Sequence, residues 1–267
     1  MSKVIGIISI KGGVGKTSTA TALGAALANE FDKKVLVVDG NFSSPNLGLH
    51  LGLLNPEITL HHVLDGKANI KEAIYTTDFG FDIIPGSFNY AKINPLKLNE
   101  RLNELRRKYD IIIIDSSPNL NEEILATMIA SNELLVVSTP DIVTLASTLR
   151  AIRIAKDKRT PITGIILNKV YNKRFELSLD DIEKTAECDV IAVLPHETHI
   201  LEALSKNIPS SLHKNSKSTE EYKKLAGTLI GEEYKPKRRG LLRFFMKKGN
   251  VEKQDINRVI LKAKTIK

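Results

Sequence analysis

The chain of 267 residues has one cysteine, Cys188, so no disulfide forms within it, as suits a reducing cytoplasm. In a helix-like stretch that lone thiol reads as core filler. No apolar run approaches the roughly 20 residues that cross a bilayer. The opening Met1-Ser2-Lys3-Val4-Ile5-Gly6 passes straight into a strand pattern, and no signal peptide is expected. There is no internal repeat and no low-complexity linker. His61-His62 and His196-x-x-His199 lack a cysteine or carboxylate at ligand spacing, so exposed or capping histidines are expected rather than a metal centre.

Most of the chain also lacks any charge excess. The net charge is +8, yet twelve Lys and Arg face only Glu252 and Asp255 between Lys235 and Lys267. The rest carries 27 basic and 29 acidic residues. A near-neutral body with a cationic tail reads as a globular fold bearing a surface-binding appendage. Composition breaks at Lys235-Pro236-Lys237-Arg238-Arg239-Gly240, which divides the chain into a domain over 1–234 and a basic tail over 235–267.

What is present is alternation. Apolar runs at Val4 to Ser9, Val35 to Asp39, Phe81 to Pro85, Ile111 to Asp115, Leu134 to Thr139, Ile162 to Leu167 and Val190 to Leu194 read as seven strands. Between them, Thr17 to Asn29, Pro95 to Lys108 and stretches near 120–130, 141–157, 179–187, 198–206 and 219–231 read as helices. Strands without period-2 alternation are buried on both faces, which predicts a doubly wound α/β fold with a mostly parallel sheet and helices on both sides. Ligands of such sheets sit beyond the carboxyl ends of the strands.

The first strand runs into Lys11-Gly12-Gly13-Val14-Gly15-Lys16-Thr17-Ser18 and then a helix. Glycines let successive N–H groups converge on an anion, the helix adds its positive end, Lys16 reaches terminal phosphates and the Thr17 hydroxyl ligates Mg²⁺. This order predicts ATP with Mg²⁺ as the bound cofactor. Asp39 and Asp115 end the second and fourth strands, where each is expected at the metal. A carboxylate following four isoleucines is costly without such a partner. Asp141 follows Ser138-Thr139-Pro140 and is expected at a helix N-terminus.

An ordinary phosphate loop has Gly where this chain has Ile10, and Lys11 is an additional lysine. Here the sequence resembles the MinD/ParA family of deviant Walker A ATPases, over about residues 3 to 230. The resemblance implies a P-loop fold of the SIMIBI type and a homodimer that sandwiches ATP. Lys11 would reach the partner's nucleotide, where a cation neutralises charge developing on the transferring phosphoryl group. Asp115 matches the family's Walker B Asp, and Asp39 the first Asp of its Asp-x-Asp switch. The second Asp is replaced by Asn41, which orients a water but accepts no proton, so hydrolysis is expected to be slow or to require an activating partner. Asn168 matches the residue whose amide reads the adenine edge, and Pro195, His196 and Glu197 fall where the family frames the base.

In the tail, Leu241, Leu242, Phe244, Phe245 and Met246 share one arc of a helix, with Arg243 and Lys247 opposite. Such a face lies in the interface of an anionic membrane, and two copies in a dimer bind far better than one. It resembles the MinD membrane-targeting helix, which implies a cytoplasmic protein, peripheral on the inner face of the cell membrane when ATP is bound. Ile256, Val259, Ile260 and Ala263 form a second amphipathic pattern, expected to extend that contact, pack on the domain or meet a partner protein. The competing expectation is a ParA-like partition ATPase that binds DNA through Arg101, Arg106, Arg107 and Lys108, or through Arg150, Arg153, Lys156, Lys158 and Arg159. A third is a regulatory module that binds ATP with little hydrolysis.

Overall fold

A computed structural model describes residues 2–89, 93–235 and 252–265. The first half of the body runs β1 (Lys3–Ile8), α1 (Lys16–Phe31), β2 (Val35–Gly40), α2 (Leu47–His50), α3 (Leu60–Leu64), β3 (Tyr75–Thr76), β4 (Asp82–Ile84) and α4 (Leu98–Asn103). It continues with β5 (Ile111–Ser116), α5 (Glu122–Ala130), β6 (Glu133–Ser138), α6 (Ile142–Asp157), β7 (Ile162–Val170) and α7 (Leu179–Ala186). Then come β8 (Val190–Pro195), α8 (Thr198–Ser205), α9 (Ser210–His213), α10 (Lys217–Leu229) and α11 (Lys253–Thr265).

The eight strands form one sheet in the order β3-β4-β2-β5-β1-β6-β7-β8. All neighbouring pairs are parallel except β3 with β4. The mostly parallel, doubly wound sheet expected from the sequence is therefore present, with one two-residue edge strand more than expected. The isoleucine run shows why no alternation was visible. Ile111 and Ile113 join the core beneath α1 and α10, while Ile112 and Ile114 join the core with Leu98, Leu102 and Ala126. Each buried isoleucine contributes about 2 kcal/mol, so β5 tolerates a carboxylate at its end.

Four helix starts are closed by side chains: Asn121, Asp141, Ser178 and Ser216 accept first-turn N–H groups at α5, α6, α7 and α10. α1 begins instead at Gly15, in left-handed backbone, with no side-chain acceptor. Its first amides are left for an anion.

Among the described residues no helix is long and apolar enough to cross a membrane. Leu241, Leu242, Phe244, Phe245 and Met246 lie outside the described residues. Beyond the division at residue 234, α11 lies back on the body along β8 and α10, which is one of the three expectations for that amphipathic pattern. Its orientation is the reverse of an ordinary amphipathic helix. Gln254, Asn257 and Arg258 are buried, whereas Ile256, Val259 and Ile260 are 48%, 67% and 45% exposed. Asn257 Nδ2 donates to the Val190 carbonyl (2.8 Å), and Arg258 donates to the Ile191 carbonyl (2.8 Å) and to Glu221 (2.7 Å). Glu183 and Glu221 in turn accept from the Val190 and Val193 amides, at 2.8 and 3.0 Å. Edge-strand polar groups draw the polar face inward, since each would otherwise be buried unpaired.

Replacing Arg258 leaves Glu221 buried without its cation, their side chains being 5% and 7% exposed. Arg258→Met is expected to cost about 3 kcal/mol and to remove hydrogen-exchange protection from 253–263. The Asp255 carboxyl is half-buried, and that burial pushes its pKa up. Contacts to Arg258 and Lys224 outweigh the push and hold it below the ordinary range. Its contribution to docking is complete above about pH 4 and is lost as pH falls through the depressed value, which exchange measured across acid pH will register.

Candidate nucleotide site

The site is built on the turn between β1 and α1. Gly13 and Gly15 have φ of +75° and +100°, values that favour glycine. A Cβ on Gly15 would also stand 2.2 Å from Asn168 Nδ2. Over this turn lies a cavity of about 330 Å³, large enough for a small ligand. Gly12, Gly13, Gly15, Lys16, Thr17 and Ser18 line one side. Asn41, Asn168, Pro195, His196 and Glu197 come from other elements to the same space. Val14 instead anchors the loop, its side chain buried in the core beneath the sheet.

Beneath the phosphate end stand two carboxylates. Asp39 and Asp115 are register partners across β2 and β5, and both are buried. Burial, and then repulsion from Asp115, pushes Asp39 up to about 8, against backbone N–H bonds from Leu47, Asn41 and Asn46. Asp115 is pushed up to about 6 by burial, opposed by the Thr17 hydroxyl bond and Lys16. Thr17 Oγ1 donates to Asp115 Oδ2 at 2.6 Å. Asp115 Oδ1 is buried without a hydrogen-bond partner among the described residues. Lys16 is buried too, which lowers its pKa while Asp115 raises it. Two like charges, an orphaned carboxylate oxygen and a neighbouring hydroxyl fit a hard divalent cation such as Mg²⁺, which takes few protein oxygens and keeps several waters.

Asn41 sits at this edge with its Nδ2 donating to the Ser44 carbonyl and its Oδ1 buried and unpartnered among the described residues. That oxygen is suited to accept from a water. Lys11 lies apart, outside the cavity lining. Its Nζ donates to Thr144 Oγ1 (2.7 Å) and pairs with Asp141 at 3.6 Å. Asp141 is the N-cap of α6, accepting from Thr144 N at 2.9 Å. Burial pushes its carboxyl up, but bonds from Thr139 and Thr144, with Lys11 nearby, outweigh it and hold it at about 2. Beside this contact Ile142 and Val143 are 73% and 63% exposed.

At the far end His196 stacks on Tyr171 with centroids 4.5 Å apart. Glu197 spends its carboxylate on the start of α10, accepting from Ser218 Oγ at 2.6 Å. Asn168 Nδ2 donates to the Val14 carbonyl (2.8 Å) and Lys169 Nζ to that of Gly13 (2.7 Å). Sequence reasoning missed Lys169, which lies in the irregular last residues of β7, and Tyr171, just past its end; periodicity offers no signal at either. Of the histidines, His62 closes the α3 capping box with Thr59. His61 is buried rather than exposed, its ring nitrogens meeting the Phe42 carbonyl and the Ser87 amide. Among the described residues no cluster suits a metal of the His/Cys type. Cys188 is half-buried and its thiol is pushed up to about 11, chiefly by burial.

A phosphate cradle at the carboxyl end of the first strand of such a sheet is the mark of the P-loop nucleotide-binding proteins. Residues 2–160 match the AAA domain family. Over 246 residues the chain is 31% identical to the septum site-determining protein MinD of Thermotoga maritima, covering 87% of this chain and 89% of that one. The cell division ATPase MinD of Pyrococcus furiosus superposes with a TM-score of 0.82 at 34% identity, over 86% of this chain and 99% of the other. The septum site-determining protein MinD of Pyrococcus horikoshii, solved with Mg-ADP, gives 0.81 at 34% identity, over 86% and 96%. The chain belongs to the MinD/ParA family of P-loop ATPases and binds ATP and Mg²⁺.

The carboxylate pair sets the pH response of the ligand-free protein. A carboxyl raised above its unfolded value stabilises most while protonated, so stability falls as pH rises from about 4 toward the value near 8 of Asp39. Asp115→Asn removes the repulsion. It is expected to flatten that fall, to raise the ligand-free unfolding midpoint and to abolish Mg²⁺-dependent ATP affinity, as calorimetry with and without Mg²⁺ will show. Gly15→Ala meets both the positive φ and Asn168, and is expected to weaken ATP binding at least about tenfold in equilibrium titration.

Proposed function

We propose that this chain is a MinD-type ATPase that dimerises around ATP and binds a membrane in that state, placing components of cell division. The observation that carries the reading is the position of Lys11. Its ammonium turns away from its own phosphate loop, toward Asp141 and Thr144. It lies at the foot of a helix whose Ile142 and Val143 face outward. A second copy docked on this face would cover those apolar side chains and receive Lys11 at its nucleotide.

In that assembly the amides at the start of α1 and the Lys16 ammonium hold the phosphates, with the base end framed by Asn168, Pro195, His196 and Glu197. Thr17, Asp39 and Asp115 hold Mg²⁺, which screens the charge of the phosphates when bound. Asn41 orients the attacking water through its free oxygen. Because an amide does not take a proton, turnover is slow until an activating partner supplies what is missing. ATP binding with little hydrolysis, as in a regulatory module, is the limiting case.

The membrane contact is assigned to Leu241, Leu242, Phe244, Phe245 and Met246, supported by their arc and by the cationic sequence around them. Two weak contacts in one dimer give the avidity that makes binding ATP-dependent. The protein is then cytoplasmic with ADP and peripheral on the inner membrane face with ATP. The DNA reading draws support from Arg150, Arg153, Lys158 and Arg159, exposed on and after α6. Lys156 pairs with Glu187, and Arg106 donates to the Ala130 carbonyl, so neither basic run is wholly free.

Sedimentation with anionic liposomes and a DNA shift, run at equal salt with ATP or ADP, test the two readings. Liposome binding is expected with ATP alone and is lost on deleting residues 240–249; retention after that deletion overturns the membrane assignment. Lys11→Ala is expected to stay monomeric with ATP by light scattering while binding the nucleotide, and a dimer there overturns the shared site.

A further inference from the structure

Successive residues of a strand point to opposite faces, yet Asn168 and Lys169 both reach the phosphate loop. Two features of β7 explain this. Its pairing with β8 runs Leu167 with Val193 and Val170 with Pro195, so three steps on β7 oppose two on β8. This is the extra residue of a bulge. Within it Lys169 has φ +58°, a left-handed backbone that costs a lysine free energy and persists where its surroundings impose it.

The carbonyls gripped are adjacent. Asn168 Nδ2 holds that of Val14 and Lys169 Nζ that of Gly13, at 2.8 and 2.7 Å. A carbonyl shares its rigid trans peptide plane with the N–H of the next residue, which points the opposite way. Fixing the Gly13 and Val14 carbonyls from outside therefore fixes the direction of the Val14 and Gly15 N–H groups. Those are amides of the turn that closes on the anion. Asn168 Oδ1 accepts from Lys169 N at 2.9 Å, which ties the two grips together. The Asn168 amide carries two hydrogens, so one remains for a base.

We propose that Asn168 and Lys169 form a clasp that positions the phosphate loop from behind, with Lys169 a positioning residue for triphosphate binding. The clasp holds two peptide planes in the anion-binding orientation before ligand arrives. Binding then costs less loop ordering. The inference rests on the nucleotide-site reading above, and it assigns Lys169 a role through the loop rather than through the base.

The test is equilibrium titration of the full chain with Mg-ATP and with inorganic tripolyphosphate, which carries no base. Wild type is expected to bind both. Lys169→Met is expected to weaken both by the same factor, about fivefold, and Asn168→Ala to weaken both by about tenfold or more. Lys169→Arg, which keeps a donor on a long stem, restores affinity. Lys169 is exposed, so Lys169→Met should keep the wild-type unfolding midpoint, which separates positioning from general support of the fold. The clasp is overturned if the variants lose ATP but keep tripolyphosphate, if Lys169→Arg fails like Lys169→Met, if wild type does not bind tripolyphosphate, or if both variants bind both ligands normally. A wild type that binds no ATP would instead overturn the nucleotide site itself.

Discussion

Two carboxylates closed side by side in the sheet, Asp39 and Asp115, set the terms for the rest of the site. Burial holds both above their ordinary range, and repulsion from Asp115 adds to the rise of Asp39. The body tolerates them because the surrounding strands bury a large apolar surface on both faces. The site then acquires a direction: a divalent cation there would offset the carboxylate charge, and an anion brought with it would meet the open start of α1. Metal, phosphate and loop are thus one electrostatic unit, with Thr17 bonded to one carboxylate and Lys16 buried beside it. Asn41 belongs to the same edge but contributes no charge, and its buried Oδ1 has no partner among the described residues.

The two ends of the cavity are joined mechanically. β7 ends in a bulge whose two side chains grip the loop, while β8 ends in the residues that flank the cavity. Tyr222 of α10 contacts Thr19 of α1 at 3.3 Å, and its neighbour Glu221 bonds both β8 and α11. α11 is therefore tied to elements that line the nucleotide cavity, although it lies on the outer side of the sheet.

Much of this was legible in the chain itself. Continuous apolar runs alternating with helices fixed the sheet class, and the glycine spacing with Lys16 and Thr17 located the cradle. Asp39 and Asp115 stood out because a charge at the end of an all-apolar strand needs a reason. The parts that escaped are those decided by tertiary contacts. No local pattern places a lysine at positive φ, so nothing in the sequence marked Lys169. The spacing of Ile256, Val259 and Ile260 marked a helix face but left open what it would meet, since hydropathy does not register unpaired main-chain groups on β8. α2 and α3, at four and five residues, are too short for helical periodicity to show.

That inversion of α11 bears on assembly. A β-sheet grows by recruiting another strand to its border, the route to domain exchange and fibrous aggregates. Here one border is clamped by the carboxylate, amide and guanidinium groups of Glu183, Glu221, Asn257 and Arg258, and the other ends in a two-residue antiparallel strand. A chain so finished does not template its own polymer. Contact with another molecule then runs through side chains rather than through an added strand.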